Sequence, residues 1–171
     1  MKPALYAGLA LGLVPIQVTV LNGLSLWGVR PDLCLVAACL VGIVAGRLEG
    51  LLIGLALGLG QDLFSAGPPM LNMGTKALAG LLGGLVGRHV TDVTPVTVML
   101  ALAGFSALSG AVAMASVKTG IGLMDRLDMV RFVLLPEALF NTVVGGGLYW
   151  LLSVTGRRHQ QAPRAPVGLV G

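Results

Sequence analysis

Apolar runs separated by short polar turns fill most of this sequence and leave few charged side chains. Only 11% of the residues are charged and 56% are hydrophobic, whereas soluble domains carry roughly 25% charged residues. A water-soluble fold could not cover its surface with so few polar side chains. We therefore predict an integral membrane protein. Because a helix needs about 20 apolar residues to cross the hydrocarbon core, the chain has room for about six crossings and for no folded soluble domain.

The predicted fold class is an all-α membrane protein, a polytopic bundle of about six transmembrane helices. We expect the transmembrane domain to cover residues 1–155 and a disordered cytoplasmic tail to follow at 156–171. The expected spans are residues 4–21, 33–45, 51–64, 72–90, 95–117 and 130–152. The spans at 33–45 and 51–64 are short, so the sequence leaves open whether they are full or re-entrant. Residues 118–129 are either an amphipathic surface helix or a loop.

Lysine and arginine residues lie mainly at the ends of the apolar runs, where they act as topology signals. One side of the predicted bundle holds the larger group, which is Lys2, Arg47, Arg88, Arg157, Arg158 and Arg164. The other side holds Arg30, Lys118, Arg126 and Arg131. This bias predicts that both termini are cytoplasmic. The basic residues form no stripe with interleaved aromatic side chains, so we predict no nucleic-acid partner.

Three of the predicted spans combine small residues at helical spacing with polar residues. Small residues four positions apart allow helix backbones to approach closely in lipid, so we expect these glycines to face other helices. The predicted helix-packing residues are Gly50, Gly54, Gly58, Gly80, Gly83, Gly87 and Gly145. The polar residues within the spans are Asp62, Lys76, Glu137, Asn141 and, in the first span, Gln17.

These polar residues have two interpretations, because charges inside a membrane are costly unless they are paired or reach water. In the first, they line a polar pocket or a partner-docking groove in the outer half of the bundle. In the second, an ion pair between Asp62 and Lys76 holds the third and fourth spans in register. Glu137 fits the second interpretation less well, since a second acid cannot share one lysine without another donor.

No pattern typical of an enzyme occurs in the sequence. It contains no Ser/His/Asp set, no paired Cys and His, and no phosphate-binding loop. Cys34 and Cys39 fall in one apolar run, and His89 and His159 are isolated, so neither a disulfide nor a metal site is indicated. We predict a non-enzymatic function with no catalytic, cofactor-binding or metal-binding residues.

Several short motifs follow one another along the chain in a definite order. They are Arg30-Pro31-Asp32-Leu33, Gly46-Arg47-Leu48-Glu49-Gly50, Gly58-Leu59-Gly60-Gln61-Asp62-Leu63-Phe64-Ser65, Lys76-Ala77-Leu78 and Leu135-Pro136-Glu137-Ala138-Leu139-Phe140-Asn141. In this order, over residues 1–155, the chain resembles the bacterial rod-shape-determining protein family MreD. The motif residues in the turns are Arg30, Pro31, Asp32, Arg47 and Glu49.

The resemblance implies a small multi-pass scaffold protein of the bacterial cytoplasmic (inner) membrane, belonging to the cell-elongation machinery, or elongasome. Its most direct partner would be MreC, a single-pass protein with a periplasmic domain, within a wider complex of MreB, RodZ, RodA and a transpeptidase. There it would help to couple the MreB cytoskeleton to peptidoglycan synthesis and to the maintenance of cell shape. The family is also similar in fold to the S-components of energy-coupling-factor transporters. The resemblance implies no catalytic residue.

An alternative function is that of a substrate-binding subunit of a small-solute, vitamin-type transporter. The short, glycine-interrupted second and third spans favour this alternative. It requires an energising partner, because the chain has no nucleotide-binding motif. One scaffold can host both roles, and the ordered motifs favour the elongation machinery. A small channel is disfavoured, because no polar stripe is long enough to line a pore.

Overall fold

The structure, a computed structural model, describes residues 2–20, 30–65, 69–90, 92–116 and 122–160. These residues are helical with short connections and contain no strand, which confirms the all-α class for this part of the chain. The helices are α1 (Lys2–Pro15), α2 (Leu33–Ala45), α3 (Arg47–Phe64), α4 (Leu71–His89), α5 (Pro95–Ser116), α6 (Leu123–Met129) and α7 (Leu135–Gln160). Two π-helical turns, Ile16–Val20 and Val130–Leu134, follow α1 and precede α7.

Helices α3 and α4 form a tight antiparallel pair whose backbones touch through glycines. Gly50 lies against Gly80, and Gly58 lies against Met73, with Gly54 between them on the same face. A Cβ atom on any of these three α3 glycines would fall less than 3.0 Å from backbone atoms of α4. Only glycine permits this separation, because any larger residue would push the two backbones apart.

Helix α2 packs against the same side of α4 and completes a three-helix centre. Gly83 lies against Cys39, and Gly87 lies against Ile43. Gly42 and Gly84, which the four-residue spacing did not single out, take part in the same contact: a Cβ atom on Gly42 would lie 2.9 Å from the backbone nitrogen of Gly84. The centre of the fold is therefore built from backbone contacts along almost the whole length of α4.

The other helices join this centre through side chains. Val98 and Leu102 of α5 are fully buried in a cluster with Val36 and Cys39 of α2. A second cluster, which lies between α1, α2 and α3, consists of Val14, Cys34, Ala38, Ile53 and Leu57. Both cysteines are buried and free. Helix α2 thus contributes side chains to both clusters and lies at the core.

Each π turn occurs next to a proline. Pro15 has no N–H group to donate to the carbonyl of Leu11, and Pro136 has none to donate to the carbonyl of Phe132. A missing bond in the helical ladder is commonly accommodated by a local change such as a π turn. After Pro15 the hydroxyl of Thr19 donates to the Pro15 carbonyl at 2.6 Å. The irregularity that follows Pro15 therefore takes the form of a π turn.

The helix bounds differ from the predicted spans at both ends of the fold. Helix α3 begins at Arg47 rather than at residue 51, because Gly46, with a φ of 112°, makes the turn after α2 by itself. Helical structure runs without a break from Leu123 through the second π turn to Gln160, so it extends beyond the predicted span 130–152 on both sides. Residues 156–160, which were expected in a disordered tail, are helical; 161–171 and 117–121 lie outside the described residues.

By length and composition, one of the described helices, Pro95–Ser116, qualifies as a membrane span. Leu33–Ala45 is apolar but shorter. In α3 the residues Arg47, Glu49 and Asp62 add charge to an otherwise apolar helix. In α4 the residues Lys76 and Arg88 lower the hydropathy in the same way.

Candidate functional site

Lys76 lies at the centre of a network of polar side chains that links four helices. Its side chain is completely buried, and its Nζ lies 2.9 Å from Oδ2 of Asp32. The same ammonium donates to Oδ1 of Asn72, one turn earlier on α4, at 2.8 Å. A buried ammonium is tolerated only when it is paired and hydrogen-bonded. Asp32 and Asn72 together meet that requirement.

Asp32 pairs with Lys76 and also caps the start of α2. Its Oδ1 accepts from the backbone N–H of Leu35 at 3.0 Å, which makes Asp32 the N-cap of α2. Its own backbone N–H donates to Oδ1 of Asn141 on α7 at 2.6 Å. This single residue therefore connects α2 to α4 through its carboxylate and α2 to α7 through its backbone.

Asn141 carries the network on to α5. Its side chain is fully buried, and its Nδ2 donates to the hydroxyl of Ser106 at 3.0 Å. Both ends of the amide are thus used, one toward Asp32 and one toward Ser106. A buried amide that is satisfied at both ends helps to specify how the helices pack.

Asp62 caps α4 and does not form the ion pair with Lys76 that the second of the two interpretations required. The carboxylate of Asp62 accepts from the backbone N–H groups of Asn72 at 3.1 Å and Met73 at 2.9 Å, and from Nδ2 of Asn72 at 2.9 Å. Residue Met70, at the N-cap position, provides no side-chain cap, so Asp62 of α3 supplies it from across the helix pair. Asp62 reaches Lys76 only through Asn72, and the ion pair forms with Asp32.

Gln17 fastens the first π turn to the start of α2. Its Nε2 donates to the carbonyl of Pro31 at 2.9 Å, and its Oε1 accepts from the N–H of Leu33 at 2.9 Å. Both groups belong to backbone that flanks Asp32. Four polar residues that were predicted from sequence therefore lie in one region around Asp32, and each of their side chains is hydrogen-bonded. They are Gln17, Asp62, Lys76 and Asn141.

A polar cavity of about 450 Å³ opens beside this network. Its lining comes from the π turn, the ends of α2, α3 and α4 and the start of α7: Gln17, Val18, Arg30, Asp32, Gln61, Phe64, Ser65, Asn72, Val133 and Glu137. Glu137 lines the cavity together with Asp32 of the ion pair. The buried Oε1 of Gln61 accepts no hydrogen bond from any residue that the structure describes.

A second cavity is almost entirely apolar and lies on the flank of the bundle. It measures about 530 Å³ and is lined by residues of α1, α2 and α7: Tyr6, Leu9, Leu13, Leu33, Val36, Ala37, Leu40, Val41, Val44, Ala45, Leu148, Leu151 and Leu152. The lining residues run from the first to the last residue of α2. We call this cavity the flank groove.

The remaining motif residues lie at the two ends of the three-helix centre. Arg30 and Pro31 precede α2 at the polar end. Arg47 and Glu49 lie in the first turn of α3 at the opposite end, where the hydroxyl of Tyr6 donates to the Glu49 carboxylate. Gly145 lies on α7, against Leu102 and Val36. The predicted topology placed Arg30 and Arg47 on opposite sides of the bundle, and they lie at opposite ends of the three-helix centre.

Sequence reasoning missed three members of the network: Asp32 as the partner of Lys76, and Asn72 and Ser106 as hydrogen-bonding residues. A signal for Asn72 existed, because it precedes Lys76 by one helical turn and lies on the same face. A signal for Asp32 also existed, since an Asp that directly precedes an apolar run is a helix N-cap. No sequence signal distinguished Ser106 from the other small residues of α5.

The arrangement can hold helices in position and can receive a polar molecule in the cavity. Among the residues described, no group of three or more His, Cys, Asp or Glu side chains could hold a metal ion. Comparisons with protein-family models, with curated proteins and with solved structures give no match to this chain.

Proposed function

We propose that this chain is a non-enzymatic, multi-pass subunit of the bacterial cytoplasmic membrane that works in the cell-elongation machinery, as its resemblance to the MreD family implies. Its fold would be a bundle of about six membrane-crossing helices. It would bind the transmembrane helix of MreC and help to couple MreB, RodZ, RodA and a transpeptidase to peptidoglycan synthesis. Both termini would be cytoplasmic.

The distribution of polar and apolar side chains supports a membrane location. Lys76 and Asn141 have no exposed surface, whereas many large apolar side chains point outward. Examples of the outward-pointing side chains are Leu52, Leu63, Leu100, Leu139 and Val143, each more than 60% exposed. Soluble proteins rarely expose apolar surface on this scale, and in lipid it incurs no penalty.

The flank groove is the observation that carries the proposed scaffold role. It follows the whole length of α2, which at 1.5 Å per residue is about 20 Å, and its walls are aliphatic apart from Tyr6. A groove of this length and chemistry fits one apolar helix lying along α2, as in other helix-in-groove complexes. The transmembrane helix of a single-pass partner has that form. Asp32 and its network hold α2 in place as the floor of the groove.

The proposal is tested by affinity purification from native membranes in mild detergent, with mass spectrometry of the proteins that co-purify. We expect recovery of a single-pass protein with a periplasmic coiled coil, together with cell-wall synthases. Ala37→Phe, which fills the floor of the flank groove, should abolish this recovery. Ala107→Phe, on an exposed face of α5, is the matched control and should leave recovery unchanged. Equal recovery with both variants would show that the partner does not occupy the groove.

The polar cavity favours a second candidate function, that of the substrate-binding subunit of a small-solute transporter. Its polar lining and the unused Oε1 of Gln61 are suited to a ligand that donates hydrogen bonds. In the same purification, recovery of ATPase subunits and a coupling membrane protein would replace the scaffold proposal by this one. Glu137→Gln should then reduce solute binding while leaving the recovered partners the same.

A further inference from the structure

A third cleft lies at the opposite end of the three-helix centre from the polar network. It measures about 370 Å³ and is lined by Ile43, Val44, Ala45, Gly46, Arg47, Gly84, Gly87 and Arg88. The cleft is bounded by the end of α2, the start of α3 and the end of α4. Arg47 and Arg88 are its charged residues, and both are exposed.

The glycines of α4 bring the two arginines to one cleft. A Cβ atom on Gly84 would fall less than 3.0 Å from the backbone nitrogen and Cα of Arg47, and one on Gly87 would overlap the backbone of Ile43. Arg88 follows Gly87 directly on α4. The close backbone contact therefore fixes Arg88 beside the first residue of α3, although two like charges would otherwise separate.

No described residue neutralises either guanidinium. Within the residues described, the side chains of Arg47 and Arg88 form no ion pair and no hydrogen bond. Glu49, the nearest acid along α3, already accepts from the Tyr6 hydroxyl. Helix α3 begins in this cleft without a side-chain cap, but α2 and α4 end there and carry the opposite partial charge, so the positive potential comes from the two arginines. Among the described residues, the two arginines therefore make the cleft a positively charged site whose charges are not paired.

The rim of the cleft is apolar and outward-facing. Val44 is 68% exposed and Leu48 is 65% exposed, next to the two arginines. A phosphate group bound by the arginines would therefore place attached acyl chains against aliphatic side chains. Guanidinium groups bind phosphate through paired hydrogen bonds, and basic pockets between membrane helices on the cytoplasmic side are typical sites for acidic lipid headgroups.

We propose that the cleft between Arg47, Arg88 and the last turns of α4 at Gly84 and Gly87 binds the phosphate of an anionic phospholipid. The acyl chains of the lipid would lie along Val44 and Leu48. The site goes beyond the scaffold function. It rests on the proposed membrane location and not on the identity of any partner.

The test uses the full chain, purified in a neutral detergent and stripped of lipid, and titrated with phosphatidylglycerol or with phosphatidylcholine of the same acyl chains. We expect phosphatidylglycerol to raise the unfolding temperature and phosphatidylcholine to have a much smaller effect. Arg47→Gln and Arg88→Gln should each weaken phosphatidylglycerol binding about tenfold, the loss expected for one charged hydrogen-bonding group. The double variant should lose the stabilisation.

Arg131→Gln is the matched control, because Arg131 is an exposed arginine outside the cleft. This variant should bind lipid as well as the unchanged protein does. Arg47→Lys keeps the positive charge and should retain part of the affinity for phosphatidylglycerol. Retention by this variant would show that the weaker binding of Arg47→Gln is not a folding defect. Equal stabilisation by both lipids, or full binding by the double variant, would overturn the proposal. Inorganic phosphate that stabilises the protein as strongly as phosphatidylglycerol would assign the cleft to a soluble anion instead. The partner protein should co-purify with the double variant as it does with the unchanged protein. The lipid site and the proposed function can therefore fail independently of each other.

Discussion

The three-helix centre and the α5–α7 pair are held together in different ways. In the centre, glycines of α2, α3 and α4 lie against the backbone of the neighbouring helix. In the α5–α7 pair the equivalent glycines meet side chains: Gly145 meets Leu102, and Gly146 meets Met99. A side chain can change rotamer to admit an added methyl group, but a helix backbone can move only as a unit. The centre should therefore be much less tolerant of substitution than the pair.

The polar network connects these two regions at one point. Asp32 forms the ion pair with Lys76 inside the centre, and its backbone N–H bonds to Asn141 of the pair. Ser106 then ties α5 to α7 through the same amide. Glycine contacts determine how closely the helices of the centre approach, and the network determines where the pair attaches to it.

The largest effect is expected for Gly80→Val, because any Cβ atom at this position overlaps the backbone of Gly50. We expect the loss in stability to exceed about 3 kcal/mol, the upper end of ordinary overpacking, and the protein to be recovered aggregated. Gly147→Val, on an exposed face of α7 with open space around it, is the control and should fold. Fluorescence-detected size-exclusion chromatography in detergent measures both. A monodisperse, native-like Gly80→Val protein would contradict the packing of the centre.

Lys76→Met should be next in size, with a loss of about 3 kcal/mol, because it leaves the partly buried carboxylate of Asp32 without its cation. The double variant Lys76→Met, Asp32→Asn should recover part of this loss. The corresponding pair Lys76→Met, Asp62→Asn should show a loss closer to the sum of the single losses, since Asp62 is bonded to Asn72 and Met73. Thermal unfolding of the single and double variants gives the two coupling energies. A larger coupling to Asp62 than to Asp32 would overturn the observed pairing.

Asn141→Leu should cost about 1–3 kcal/mol, the penalty for leaving buried polar partners unsatisfied. It removes the acceptor for the Asp32 N–H and the donor to Ser106 at once. Ser106→Ala, which removes only the second bond, should cost less. Denaturant unfolding in mixed micelles compares the two variants. If Ser106→Ala costs as much as Asn141→Leu, the bond to Asp32 contributes nothing to the attachment of α7.

The smallest effect, opposite in sign, is expected for Gly104→Ala. This glycine lies on an exposed face of α5 with nothing near its missing Cβ atom. Alanine should stabilise the helix by up to about 1 kcal/mol through its higher helix propensity. A rise in the unfolding temperature would confirm that the glycines outside the contacts are replaceable. A loss of stability would mean that this face of α5 is covered by a helix in the assembled protein.

Much of the architecture could be predicted from local sequence. The apolar runs indicated helices. The π turn after Pro15 and the turn at Gly46, which the structure adds, follow from the backbone chemistry of proline and glycine. The four-residue spacing of Gly50, Gly54 and Gly58 pointed to the face of α3 that meets α4. For residues 118–129 the sequence left a short helix and a loop as alternatives, and the structure has a helix at Leu123–Met129.

The candidate site was predictable only in part, because its residues come from distant segments. The sequence showed which polar residues lay within apolar runs, but not that Lys76 pairs with Asp32 across two helices. Asp62, 14 residues before Lys76 on the adjacent span, was the simpler partner for Lys76. However, its carboxylate already accepts from the backbone N–H groups at the start of α4. The sequence does not show which donors compete with Lys76 for the Asp62 carboxylate, because this depends on where the helix ends lie.

The sequence by itself determined that the chain is helical, that its interior would have to satisfy a few buried polar groups, and which glycines could bring helices together. These properties follow from composition and from the helical period, which each segment carries alone. Only the tertiary structure decided that Asp32 takes the ion pair, that Arg47 and Arg88 share a cleft, and that Glu137 faces a cavity. The reason is that a pairing between helices depends on their relative depth and rotation, and these are set jointly by all of the contacts.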